Sequence, residues 1–361
     1  MARIRDTYIE DELALADAGV RIVPINIVDP IAELILGVSA QNDGVNEDNY
    51  AHDVFTKVEL VDGSDVLMSM DLKQLQAMHF YNRKVVPWMG LDEWQYTTKY
   101  AYQNLIFGRD LMDFDYAFDP TRFRNPQLRV TWDLTAGGVA VGDGGFKAGS
   151  AKLTVIARCI EQAPRRPGAF FMTKEIYDWE TAASGDEPVV MPTDYPWRML
   201  MVRVLESTVG MQENITDLKL SCDQDAYVPF QYHTEFLLRI MVEWFGMTLI
   251  QAKWVANNAD WKQTFLGLCQ SGNIDFRSGI SGGLLDTYRS QANISTDGVN
   301  TPAFGTFHGS GYHSTWCIPF GDPNQPEEWF KAPDYKSIRL LATQDNAGGA
   351  ASVVLQQVRP H

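Results

Sequence analysis

The chain has 361 residues, 45% hydrophobic and 12% aromatic, enough apolar material for two cores of ordinary domain size, which excludes disorder as the main state. Charged residues make up only 21%, whereas 28 Gly, 17 Pro, 10 Trp, 14 Tyr and 18 Phe are the mixture of short strands joined by many turns. Lys and Arg number 30 against 46 Asp and Glu, and the resulting charge of -16 excludes wrapping a nucleic acid over a broad surface, so no sequence-specific nucleic-acid partner is expected.

Near the amino terminus, Arg3 and Arg5 are followed at once by Asp6, Glu10, Asp11 and Glu12, which makes a poor nucleic-acid arm and leaves a short membrane-facing or lattice-facing tail. Residues 22–40, IVPINIVDPIAELILGVSA, read as β-rich, broken at Pro24 and at Asp29-Pro30. In VFTKVELVDGSDVLMSM, Val54, Lys57, Glu59 and Leu60 suggest a strand, Asp62-Gly63 a tight turn, and Val66 to Met68 a returning strand. The segment DLKQLQAMHFY then sets Leu72, Leu75 and His79 at helical spacing, with Met78 widening the face. Asp71 followed three residues on by Gln74 has the form of a capping box.

Residues 91–107 stay open: Leu91, Trp94, Thr98, Ala101 and Leu105 fit a helical face, while the aromatics suit strands. QLRVTWDL (127–134) and AKLTVIARCI (151–160) alternate and read as paired strands, joined by the glycine-rich tip TAGGVAVGDGGFKAGS. A phosphate cradle would need a helix directly after those glycines, and a strand pattern follows instead.

Residues 163–168, APRRPG, interrupt all periodicity and are read as a linker between two domains, 1–165 and 166–361. Beyond them the first half runs again. NITDLKLSCDQDAYVPF (214–230) aligns without gaps on the earlier hairpin at an offset of 160, placing Val58 with Leu218, Leu60 with Leu220, Asp65 with Asp225 and Met68 with Val228. A second helix follows, with Leu237, Ile240, Met241 and Trp244 on one face and Gly246 as its stop. SIRLLATQ and AASVVLQQVR flank a short tip at 345–349 and repeat the closing hairpin. Two similar β domains in tandem explain this order better than one large sandwich.

At these residues the chain resembles the major capsid proteins of double jelly-roll viruses, the tailless icosahedral lineage that includes bacteriophages and often carries an internal membrane. KVELVDGSDVLMSMDLKQLQAMHFY is similar to the strand, turn, strand and helix of their first roll. YHSTWCIPFGDPNQPEEWF with YKSIRLLATQ and VVLQQVR is similar to the end of their second. The glycine-rich tip at 135–150 and the Trp-rich stretch at 244–261 have no counterpart. The resemblance implies a mainly β fold of two tandem jelly-roll sandwiches, each with a short helix, assembling as a pseudo-hexameric homotrimer. It further implies contacts with neighbouring capsomers and with minor capsid and penton proteins, and a place in the virion capsid after assembly in the host cytoplasm. Ile4, Tyr8 and Ile9 then belong to an N-terminal arm that clamps a neighbour or touches the internal membrane; a frayed surface helix is the competing reading of the same residues.

Chemistry leaves fewer traces. No apolar run approaches the roughly 18 residues that span a bilayer, and the start lacks a signal-peptide order, so folding in a cytosol is expected. Cys159, Cys222, Cys269 and Cys317 are widely spaced and read as buried thiols without disulfides. His308, His313 and Cys317 form the one close candidate ligand set, but a structural zinc needs four ligands, so no metal, cofactor or catalytic residue is assigned. His52, His79 and His233 stand alone. Pairs such as Asp113/Asp115 and Glu327/Glu328 say nothing about separation across a cleft. Trp94, Trp132, Trp179, Trp197, Trp244, Trp254, Trp261, Trp316 and Trp329 suit core and interface packing. The rival readings are a two-jelly-roll hydrolase such as a glycan amidase, and a carbohydrate-binding module with exposed Trp.

Overall fold

The computed structural model describes residues 2–43, 50–89, 92–93, 97–137, 141, 145–206, 209–255, 261–266, 269–278, 285–288, 291–296 and 302–361. Of these, 92–93, 252–255, 261–266, 270–278, 285–288, 291–296 and 302–304 are described at the backbone alone.

The first half supplies β1 (Arg3–Ala14), β2 (Ala18–Pro24), β3 (Ile31–Gln41), a one-turn helix α1 (Ala51–Val54), β4 (Lys57–Asp62), β5 (Asp65–Met70), α2 (Leu72–Arg83), β6 (Asp92–Glu93), β7 (Thr98–Ile106), β8 (Pro126–Asp133) and β9 (Lys152–Glu161). Four antiparallel pairings, β1 with β9, β2 with β8, β3 with β7 and β4 with β5, are those of one long hairpin whose tip is the β4–β5 turn. Rolling that ribbon brings β9 beside β3 and β8 beside β4, giving two sheets in the orders β1-β9-β3-β7 and β2-β8-β4-β5. This is a jelly roll.

The second half is wound identically. Its elements are β10 (Ala169–Glu180), β11 (Gly185–Met191), β12 (Trp197–Leu205), α3 (Met211–Asn214), β13 (Ile215–Cys222), β14 (Tyr227–His233), α4 (Thr234–Phe245), β15 (Thr248–Val255), β16 (Trp261–Leu266), β17 (Gln270–Ser278), β18 (Leu285–Tyr288), β19 (Gln291–Thr296), β20 (Pro302–Ser310), β21 (Thr315–Pro319), β22 (Ile338–Gln344) and β23 (Ala350–Pro360). Here β10 pairs with β23, β11 with β22, β12 with β21 and β13 with β14, and the sheets run β10-β23-β12-β21 and β11-β22-β13-β14. Strands β15 to β20 are inserted between α4 and β21 as two small sheets of their own, β17-β20-β15-β6 and β16-β19-β18. The short β6, from the first half, pairs in parallel with β15.

The two rolls meet edge to edge. The sheet ending in β5 continues into the sheet beginning with β10 through a single parallel pairing, Ser69 with Lys174, and buried side chains from both halves form one apolar cluster.

Local chemistry explains the repeated hairpin and helix. Gly63 turns the chain at φ 63°, and in the second hairpin Asp223, Gln224 and Asp225 adopt positive φ in its place. Asp71 caps α2 in a capping box: its carboxylate accepts the Gln74 N–H at 2.6 Å and Gln74 Oε1 accepts the Asp71 N–H at 2.9 Å. Gly246, at φ 79°, ends α4 and donates its N–H to the Val242 carbonyl at 2.9 Å. Leu72, Leu75 and Met78 of α2 are buried as their spacing predicts. So are Leu237 and Met241 of α4, but its inward face turns toward Leu238 and Phe245, leaving Ile240 and Trp244 half-buried at its margin.

Several sequence expectations are corrected. The segments 127–134 and 151–160 are strands β8 and β9, but they belong to opposite sheets and do not pair. The same holds for β22 and β23, so each closing hairpin is instead a crossing from one sheet to the other. Strict alternation reports that one face of a strand is buried, and both sheets bury their inner faces, so the pattern carries no information about the partner. Val54 lies in α1, not in a strand. Residues 98–106 resolve as β7, with alternate side chains buried. The amino-terminal residues form neither a free arm nor a helix: Arg3–Ala14 is an edge strand of the first roll, bulged twice and carrying Glu12 at φ 44°. Leu91, Trp94 and much of the glycine-rich tip, residues 138–140 and 142–144, lie outside the described residues; Phe146 at the tip's end is buried in the core.

Candidate functional site

Polar side chains converge on α2, which packs against β7 of the first roll and β21 of the second. That double contact buries Gln74 and Gln76 along with the apolar face. Each polar group is there to reach across: Gln74 Nε2 donates to Ser352 Oγ at 3.0 Å and to the Glu175 carboxylate, and the Tyr81 hydroxyl donates to the Thr315 carbonyl at 2.7 Å. Asp71 Oδ2 accepts from Arg203 of β12 at 3.0 Å, and Arg203 Nε also donates to the His313 carbonyl.

His313 sits at the centre of this seam. Its Nε2 is 2.7 Å from Gln76 Oε1, and its ring lies edge-on to His52 of α1 with centroids 5.1 Å apart. Burial pushes His52 down to about 4. Burial, then neighbouring His52 and the charges of Lys73 and Arg203, also hold His313 well below the ordinary imidazole range. Asp53 is pushed up by burial, but His52 and the Lys73 ammonium 2.5 Å away outweigh that and keep it ionised. The two imidazoles thus join the rolls, His313 through Gln76 and His52 through its edge-on contact with His313.

The three residues of the candidate ligand set, to which no metal was assigned, are engaged separately. His308 is half-buried on β20, His313 is taken up by Gln76 and His52, and Cys317 is sealed in the core, its N–H 3.4 Å from Met241 Sδ and its Sγ 4.0 Å from Met199 Sδ. Among the described residues no group of three or more His, Cys, Asp or Glu is placed to hold a metal ion. Asp113 and Asp115 both bind Arg109, and Asp113 further accepts the backbone N–H groups of Arg109, Asp115 and Tyr116, which fixes a loop. Glu328 accepts the Asp322 N–H in a surface turn. His79 accepts the Asn104 N–H and is lowered to about 4 by burial, and His233 pairs with Asp217 on the surface.

Of the tryptophans, Trp132, Trp197, Trp316 and Trp329 are buried, and Trp179 and Trp244 half-buried. The side chains of Trp94, Trp254 and Trp261 lie outside the described residues. The sequence reading passed over Trp88, which is 68% exposed. It also missed the outer face of the first roll, where Tyr8 of β1 and the stacked pair Tyr100 and Tyr102 of β7 stand exposed. Val20, Ile22 and Val190 are exposed on β2 and β11. Period-2 strands mark such positions as outward, but the residues there are apolar where a solvated face would be polar. Among the described residues no helix is long and apolar enough to cross a membrane.

No protein-family model and no curated protein sequence matches the chain. Solved structures do. The STIV major capsid protein, from Sulfolobus turreted icosahedral virus, superposes with a TM-score of 0.60 at 10% identity, covering 99% of this chain and 96% of its own. The capsid protein of the PBCV-1 virus gives 0.58 at 10% identity over 99% and 94%. The major capsid protein P2 of bacteriophage PM2 gives 0.58 at 9% identity over 99% and 98%. Together with the two identically wound rolls, these full-length superpositions establish that the chain has the double jelly-roll fold of those viral major capsid proteins.

Proposed function

We propose that this protein is the structural unit of an icosahedral viral shell, a major capsid protein acting as a homotrimer in which six rolls approximate a hexagonal tile. The observation that carries the reading is the full-length duplication: the same eight-strand winding occurs twice, with 98–99% of this chain and 90–98% of its TM 0.57–0.60 neighbours superposed. Doubling the roll within one chain lets three copies imitate sixfold symmetry. The rolls divide within 163–168, giving 1–165 and 166–361. The exposed apolar residues Tyr8, Tyr100, Tyr102, Val20 and Val190 are the contact positions toward sister subunits and adjacent tiles, with minor capsid and penton proteins completing the shell. Assembly takes place in the host cytoplasm and the product resides in the virion; a membrane beneath the shell would be met by the β1 edge. No catalytic role is assigned.

Sedimentation of the purified chain, followed by electron microscopy of the source material, tests this. The expected species is three times 40.6 kDa. A monomer at micromolar concentration sinks the proposal.

A further inference from the structure

Arg198 of β12 is 2% exposed and carries its charge between the rolls. Its Nε donates to the Pro323 carbonyl at 2.8 Å, and Nη1 to Gln356 Oε1 at 2.6 Å and to Asn82 Oδ1. These acceptors are neutral, as is Met199 Sδ at 3.8 Å from Nη1, and among the described residues no ion pair to a carboxylate is formed. A buried cation without an anion is costly, and the hydrogen bonds to neutral oxygens and the Phe171 ring, whose centroid lies 4.6 Å from the guanidinium carbon, offset only part of that cost. Burial accordingly lowers Arg198 to about 10; Arg83 and Arg109 add repulsion, opposed by Cys317 and Asp113.

The third guanidinium nitrogen, Nη2, makes no hydrogen bond to the described residues and is not sealed from solvent. Arg198 lines a pocket of about 250 Å³ at the seam. Lys84, exposed at the end of α2, supplies a second cation, and Trp244, Phe245 and Pro319 supply apolar walls. Against these stands Asp322 on the rim, held ionised by the Asn324 N–H and by Gln325, with Arg198 and Lys84 adding to the effect. The C-terminal ends of α2 and α4 also reach this pocket and disfavour a second negative charge. The balance suits a monoanion and not a phosphate dianion. The volume lies below the roughly 300–1,000 Å³ of drug-sized sites, so the guest is one small molecule or one side chain.

We propose that this seam pocket binds a carboxylate borne on a flat apolar body, with Arg198 and Lys84 as its donors and Trp244 as its wall. Two sources share that chemistry: a free aromatic acid, and an acidic side chain next to an aromatic one in a neighbouring peptide. Either guest would supply the anion that Arg198 lacks and would tie α2, β12 and α4 together across the seam.

Tryptophan fluorescence of the full-length assembled protein, titrated with benzoate, with acetyl-Phe-Glu-amide and with uncharged benzamide, tests the assignment. Saturable binding of benzoate or of the peptide, at least about tenfold tighter than benzamide, is expected. Tighter binding of the peptide assigns the pocket to a neighbouring chain, and tighter benzoate assigns it to a free metabolite. Arg198→Gln should abolish the difference from benzamide; since that variant risks misfolding, exposed Lys84→Glu is the companion and should weaken benzoate by about tenfold. Benzoate and benzamide binding alike, no saturation by either acid up to about 20 mM, or Lys84→Glu binding benzoate as the parent does would each overturn the proposal.

Discussion

His52 and His313, drawn from opposite rolls, meet edge to face with ring centroids 5.1 Å apart in a fully buried site. Their proximity is tolerable only while both are neutral, since two imidazolium charges there would lack water and would repel.

Stability should therefore fall as the medium is acidified. His52 takes up its proton near 4 when folded and near 6.5 when unfolded, so between those values the unfolded chain binds more protons. The contribution is fully present above about 6.5 and is lost progressively as pH falls toward 4, on the order of 3 kcal/mol for this one group. His313, lowered in the same direction, adds to the loss. Melting temperatures between pH 7 and pH 4 measure it, and His52→Phe should flatten the profile. An unchanged slope in that variant would remove His52 from the account.

His313→Ala should be destabilising. The substitution strands Gln76 Oε1, and Gln76 Nε2 already lacks a partner among the described residues, so a wholly orphaned buried amide results. The expected loss is about 1–3 kcal/mol in urea unfolding. His313→Gln, which can still reach Gln76, should recover part of it.

Leu237→Asp should abolish soluble protein. The side chain is fully buried on α4, which packs against β13 and β21, and an unpaired carboxylate there costs several kcal/mol. Phe236→Asp, one residue away but 59% exposed, should remain soluble. Equal behaviour of the two would show that the helix face is assigned wrongly.

Gly108→Ala should cost more than Gly63→Ala even though only Gly63 has positive φ. A β-carbon at position 108 would sit 2.1 Å from the Tyr116 carbonyl oxygen, which is backbone and cannot swing aside, whereas at position 63 nothing lies within 4 Å. Overpacking of that kind costs about 1–3 kcal/mol, against about 1 kcal/mol for left-handed backbone strain. Chemical denaturation of both variants ranks them.

Shell assembly, under the proposed function, should require salt. A trimer carries 3 × -16 = -48 charges, and at low ionic strength, about 0.01 M, fields extend about 30 Å, whereas near 0.15 M they extend about 8 Å. Light scattering should rise with added salt or divalent cations. Shells that form at low salt and dissolve as it is raised would mean that attractive edge charges govern contact.

What could be read directly from the residues was local. The Asp62-Gly63 turn, the Asp71–Gln74 box and the Gly246 stop each need only neighbours within a few positions, and each is where the sequence placed it. The repeat at an offset of 160 holds for the outgoing strand, Val58 with Leu218 and Leu60 with Leu220, but not for the returning one: Leu60 faces Met68 and Leu220 faces Phe230, so Met68 corresponds to Phe230 and not to Val228, because the second turn is two residues longer than an ungapped alignment allows. Strand partnership was not legible, since β8 and β9 alternate equally well whichever sheet they join. The seam was hidden for a related reason: Gln74, Gln76 and His313 are polar, and their burial depends on contacts between residues far apart in the chain, such as Gln74 with Ser352 and Gln76 with His313. Arg198 looks in sequence like any surface arginine between apolar neighbours on a strand.

The winding of each roll also sets a timetable. Its outermost pair joins the ends of the roll, Arg3 to Glu161 and Ala169 to Pro360, so these contacts span nearly the whole roll in sequence and raise its contact order. On a ribosome adding about 5–20 residues per second, β1 waits on the order of 10–30 s for β9 to emerge, and β10 a similar time for β23. Through that interval two long strand edges are offered to any nascent neighbour. The β4–β5 turn and its counterpart between β13 and β14, by contrast, close as soon as they are made, which makes each the natural nucleus from which its ribbon zips outward and leaves β1 and β10 as the strands that a chaperone would have to guard.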